Sequence, residues 1–151
     1  MKTRIISGAV LTVILVGAVL GGGTTMFILA AIITALGLYE LYKVVGIEKK
    51  ALGICGYILA ASFYTMLWFD KLQYLEYFCV ASGILTMFVY VCSFKTTRAK
   101  QAAFSLLGIY YVAIPISYIY RIRIMEKGIF IFILAVSYTH LRAHETLANL
   151  V

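Results

Sequence analysis

The stretch MFILAAIITALGLYELYKVV, residues 26–45, carries no charge until Glu40. It is about as long as the ~20 apolar residues a helix needs to cross a bilayer. The segments around it repeat the theme. Apolar blocks cover residues 5–20, 51–69, 74–94 and 102–120, and a sixth starts at Ile129 and stops after Ala135. In hydrocarbon no water is present to satisfy backbone N–H and C=O groups, so blocks of this kind must be helices. The expected fold is all-α, a polytopic transmembrane helical bundle of about five spans plus a truncated sixth.

Composition agrees. Of the 151 residues 64% are hydrophobic and only 13% charged, with a mean hydropathy of +1.00. A soluble domain carries about 25% charged residues, so this chain cannot cover a water-facing surface. The net charge is +7. The basic residues are spread over interhelical loops, as insertion and anionic headgroups favour, and form no cluster of the kind that grips nucleic acid. Membrane lipids are the expected surroundings, nucleic acid is not an expected partner, and a homo-oligomer is compatible with the pattern. Lys2 and Arg4 before residues 5–20 resemble a secretory leader, but Gly21-Gly22-Gly23 is a poor cleavage site and another block follows at once. A retained first helix is expected.

Loop charge orients the bundle. Lys2, Arg4, Lys43, Lys49, Lys50, Lys95, Arg98 and Lys100 fall on one side, and Lys71, Arg121, Arg123 and Lys127 on the other. Eight against four places the N-terminus and the loops at 46–50 and 95–101 in the cytoplasm. Arg121, Arg123 and Lys127 run against the rule. Pro115, the only proline, would relieve the conflict if residues 102–120 were bent or re-entrant. Trp68, Tyr39, Tyr42, Tyr90 and Tyr120 lie near block ends and suit an interfacial belt. Gly53 and Gly56 with Ala60, and Ala81 with Gly83, offer small faces for close helix packing.

Candidate chemistry is sparse. Glu40 is the sharpest polar residue near a helix, with Lys43 three residues on as a partner for an interfacial ion pair. Glu76 stands near the start of its block. Neither has a neighbouring carboxylate with which to hold a metal or share a proton. His140 and His144 are one helical turn apart, but no third ligand joins them; Glu145 points elsewhere. Cys55, Cys79 and Cys92 lie inside apolar blocks without redox spacing, and read as packing residues. No phosphate-binding glycine loop and no nucleophile–histidine–acid set is present. Catalytic, cofactor-binding and metal-binding residues are therefore all assigned as none.

Three stretches carry a resemblance. Met1-Lys2-Thr3-Arg4-Ile5-Ile6-Ser7-Gly8-Ala9-Val10 resembles the opening of bacterial phosphatidate cytidylyltransferases. Gly37-Leu38-Tyr39-Glu40-Leu41-Tyr42-Lys43 is similar to that family's Tyr-Glu pair at the close of its early helices. Leu107-Gly108-Ile109-Tyr110-Tyr111-Val112, continuing through Tyr118, Arg121 and Gly128, resembles the segment before its catalytic half. The resemblance implies a multi-pass enzyme of the bacterial inner membrane that joins CTP to phosphatidic acid with a divalent cation such as Mg²⁺, giving CDP-diacylglycerol and pyrophosphate. It also implies that the family's acid-rich helix and its C-terminal signature are missing here, so residues 1–135 would be an N-terminal membrane part, inactive alone. The alternatives are a small non-enzymatic membrane protein and part of a transporter. Residues 136–151, beginning Val136-Ser137-Tyr138-Thr139-His140, resemble the translation of a transposon-derived sequencing adapter, and are expected to be a non-native tail.

Overall fold

The computed structural model describes residues 14–15, 17–125 and 128–129. Among these, the ordered elements are helices and no strand occurs. Helix α1 covers Gly23–Val45, α2 covers Ala51–Trp68, and α3 covers Leu75–Cys92 after a 3₁₀ turn at Leu72–Tyr74. Helix α4, Ala99–Leu107, passes into a π-helical stretch at Gly108–Ala113 and then into α5, Ile114–Ile124. Four runs are long and apolar enough to cross a membrane: Gly23–Val45, Ala51–Trp68, Leu72–Cys92 and Ala99–Ile124. They match the expected blocks at 26–45, 51–69, 74–94 and 102–120. Of the first block only residues 14–15 and 17–20 are described, and they are helical. The truncated sixth block lies outside the described residues apart from Ile129.

The helices end where their sequence dictates. Gly46 has φ +70°, a conformation glycine adopts at no steric cost. Its N–H reaches Lys43 O (3.1 Å), and Ile47 N–H reaches Tyr42 O (2.9 Å). This pair of bonds closes α1 as a Schellman motif, with Ile47 fully buried beside it. Asp70, at φ 53°, closes α2 in the same way: its N–H bonds Leu67 O (3.3 Å) and Lys71 N–H bonds Met66 O (3.0 Å). A short aspartate tolerates the left-handed region better than most residues.

Pro115 does not make the last span re-entrant. Ala99–Ile124 is helical for 26 residues, roughly 39 Å at 1.5 Å per residue. Proline lacks an N–H, and its ring clashes with the carbonyl four residues back. The π stretch sits on the turn before it, where Ile114 N–H bonds back to Ile109 O, and widening the turn makes room for the ring.

The described residues fall into two compact units, one over Ala30–Ser117, the other from the described residues up to Leu29 and from Tyr118 on. In the larger unit, buried side chains include Tyr42, Phe63, Leu38, Ile47, Leu52 and Ile109, and a cluster of Cys55, Leu59 and Ile109 is joined by Phe78 and Val89. Several hydroxyls there pair across helices, although Tyr57 Oη and Thr86 Oγ1 are buried without a hydrogen-bond partner. Thr34 Oγ1 and Tyr64 Oη are 2.6 Å apart, and Ser82 Oγ and Tyr110 Oη 2.7 Å. Apolar groups such as Ile32, Ile58, Ile84, Phe88 and Val91 point outward. Water would favour the reverse arrangement. Hydrocarbon favours this one, because a lipid-exposed hydroxyl finds no partner whereas an exposed isoleucine loses nothing. The protein is a membrane protein.

In the smaller unit, Ala18, Val19 and Met26 form a buried cluster with Tyr120 packed against it. Phe27 meets Tyr120 edge-on at 5.3 Å. Arg123 Nε donates to Val19 O (2.8 Å), which satisfies a carbonyl at the end of the helical residues 17–20 and complements the negative end of their dipole. Arg121 stacks on the Tyr118 ring at 4.8 Å. These two arginines, which run against the loop-charge rule, thus have structural roles within their own unit.

Candidate functional site

Two loops that are far apart in sequence meet at one end of the larger unit. Lys50 Nζ, at the start of α2, donates to Thr96 O (3.2 Å) in the turn after α3. Gln101, in the first turn of α4, acts in both directions. Its Oε1 accepts from Arg98 N–H (3.1 Å), and its Nε2 donates to Val45 O (3.2 Å) at the end of α1. One side chain therefore satisfies an orphan donor of α4 and an orphan acceptor of α1. Beneath them Tyr42 is fully buried. Its hydroxyl donates to Ser105 O (2.9 Å), and Ser105 Oγ donates to Leu52 O (2.9 Å). Tyr42 fits because Gly56 and Gly108 flank it. A Cβ on either would strike the Tyr42 hydroxyl.

This framework holds open a pocket of about 460 Å³ lined by Lys50, Lys95, Thr96, Thr97, Arg98 and Gln101. Three of the six residues are cationic and none is acidic. Beside it lies a groove of about 340 Å³, with Leu41, Val44, Val45 and Phe104 as its apolar wall and Arg98, Lys100 and Gln101 as its polar edge. The Lys100 ammonium stands 5.9 Å from the centre of the Phe104 ring. The positive end of the α4 dipole lies at Arg98 and adds to the field. The lining is chemically suited to an anion rather than a cation.

The residues singled out from the sequence are dispersed. Glu40 is exposed, and Lys43 lies over the Tyr39 ring, 5.7 Å from its centre, instead of pairing with Glu40. Ring and ammonium are adjacent on the helix surface, and a cation–π contact competes with a solvent-screened ion pair at similar energy. Glu76 stands exposed in the first turn of α3, where a negative charge suits the helix dipole. Tyr42 is a core residue, not part of an interfacial belt. Gly53 and Gly56 are close-packed as expected, whereas nothing approaches Gly83. Cys55 is buried, Cys79 half-buried and Cys92 exposed. His140, His144 and Glu145 lie outside the described residues.

The described carboxylates form no group of three that could hold the divalent cation the resemblance implies. Glu48 and Asp70 stand at opposite ends of α2, whose 18 residues span roughly 27 Å. No three His, Cys, Asp or Glu side chains converge among the described residues.

A family model, the cytidylyltransferase family, matches residues 2–142. The chain belongs to the cytidylyltransferase family. No curated protein and no solved structure matches it. Cytidylyl transfer places a cytidine nucleotide among the substrates of this family, and the four apolar helices place the member described here in a membrane.

Sequence reasoning had no route to Gln101 or Ser105. Each is an ordinary polar residue until the fold brings the carbonyl of Val45 or of Leu52 within reach. Tyr42 left two traces: its place in the stretch 37–43 that carries the resemblance, and its place among the tyrosines near block ends, which suggested the wrong environment.

Proposed function

We propose that this chain is the N-terminal membrane region of a phosphatidate cytidylyltransferase of the bacterial inner membrane. One observation carries the reading. The cytidylyltransferase match falls on a run of helices whose exteriors are apolar. An enzyme so embedded draws its acceptor from the bilayer, and phosphatidate offers there a phosphate oxygen able to attack the α-phosphorus of CTP. A pyrophosphate link forms between lipid and CMP, and inorganic pyrophosphate leaves. The carboxylates that would hold the divalent cation are assigned outside residues 17–125, since no three metal-ligating side chains converge among the described residues. The work of this region is to set the bundle in the bilayer with the loops at 46–50 and 95–101 on the cytoplasmic side, where CTP is found.

Membranes carrying the whole reading frame of the source gene, supplied with CTP, Mg²⁺ and phosphatidate, should form CDP-diacylglycerol and release pyrophosphate. The 151-residue chain alone should release none above background. Transfer to a neutral lipid alcohol, with phosphatidate inert, would overturn the acceptor. Turnover by the 151 residues alone would show that the acids present suffice.

A further inference from the structure

The basic pocket and the apolar groove form one continuous surface, because Arg98 and Gln101 line both. Its two halves differ in chemistry. At one end Lys50, Lys95 and Arg98 gather with two threonines. At the other, Val44 and Phe104 offer hydrocarbon, and Val44 is 84% exposed. Lys95, Arg98 and Lys100 are exposed, and no acidic side chain pairs with them among the described residues. Glu48 belongs to the neighbouring loop but lines neither half. Cations held this close repel one another unless an anion joins them, and an arginine fork beside lysines matches a phosphate. A free phosphate would use only the polar half. The apolar half calls for a ligand whose anionic head continues into an acyl chain, at the level where helices leave the hydrocarbon.

We propose that this surface binds an anionic glycerophospholipid, its phosphate among Lys50, Lys95 and Arg98 and its acyl chain along Val44 and Phe104. Binding here needs no nucleotide and no turnover, so it stands or falls apart from the acceptor proposed above. For the same reason the probe is phosphatidylglycerol, a phosphodiester that is not that acceptor.

The test uses the full chain in a zwitterionic detergent, with binding read as the rise in melting temperature during titration. Dioctanoyl phosphatidylglycerol should bind at least about tenfold more tightly than dioctanoyl phosphatidylcholine, and higher salt should narrow the gap. K95Q/R98Q should weaken phosphatidylglycerol about ten- to thirtyfold. V44S/F104S should weaken it while leaving glycerol phosphate unaffected. K71Q, at the other end of α2, should change nothing. Equal affinity for the two lipids, or an unchanged K95Q/R98Q that retains wild-type helix content, would overturn the proposal. Glycerol phosphate binding as tightly as phosphatidylglycerol would do so too, by marking a site for a soluble anion. The salt dependence of the unmodified chain keeps the proposal falsifiable if a variant does not fold.

Discussion

At the residue scale the most consequential side chain is Tyr42. It fills a slot that exists only because positions 56 and 108 are glycine. At Gly108 an added Cβ would come within 2.7 Å of the Tyr42 hydroxyl and 2.8 Å of a Leu38 methyl. Tyr42→Phe should cost about 1 kcal/mol, the usual loss for a hydrogen bond whose acceptor stays buried. Gly56→Ala should cost about 1–3 kcal/mol through overpacking. Both changes bear on the hydroxyl oxygen, the atom an added Cβ at position 56 would approach most closely, ahead of ring carbons Cζ and Cε2. The double variant should therefore be less destabilised than the sum by about 0.5 kcal/mol or more. Thermal melts of the four proteins in one detergent measure the cycle, and strict additivity would mean that Gly56 and Tyr42 do not meet. The Gly53–Gly56 face was legible in the sequence as a site of close packing. Its partner was not, because small-residue spacing says where a backbone can be approached and not by what.

At the element scale the joint between α1 and α4 depends on Gln101. Helix ends leave N–H and C=O groups without intrahelical partners, and here one amide serves both. Gln101→Ala should destabilise the chain by about 1–2 kcal/mol. It should also speed amide exchange at Arg98, whose N–H loses its acceptor. Gln101→Glu should keep the bond from Arg98 N–H and lose the one to Val45 O, falling between wild type and alanine. An alanine variant with unchanged exchange at Arg98 would remove Gln101 from this role. The helices themselves were readable from block length and hydropathy. Their ends were less so: α1 begins at Gly23 and not Met26, and the last span runs over Ala99–Ile124 and not 102–120. Polar and glycine residues are poor hydropathy signals, yet they continue a helix wherever its backbone bonds can close.

At the scale of the whole molecule the threading of the bundle is the checkable property. Lys50 meets Thr96, so the loops at 46–50 and 93–98 share one end of their unit. The turn at Asp70 and Lys71 stands at the far end of α2. In a chain freed of Cys55, Cys79 and Cys92, single cysteines at positions 49 and 95 should react with an impermeant maleimide from the same side of the membrane, and one at 71 from the other. Labelling of 49 and 95 from opposite sides would overturn the threading. Reaction of both from outside would keep it and reverse the orientation expected from loop charge. By itself the sequence determined the helical membrane class, the approximate spans and the family. These follow from hydropathy summed over ~20 residues and from short local motifs, quantities that survive without knowledge of contacts. Only the tertiary structure decided that Tyr42 is a core residue, that Arg123 completes a helix end, and that Lys50, Lys95 and Arg98 line one pocket. Each of those depends on a distance between residues remote in the chain, such as the 104 positions that separate Arg123 from Val19. Such distances are set by how helices pack, and the apolar pattern along any one helix does not encode them.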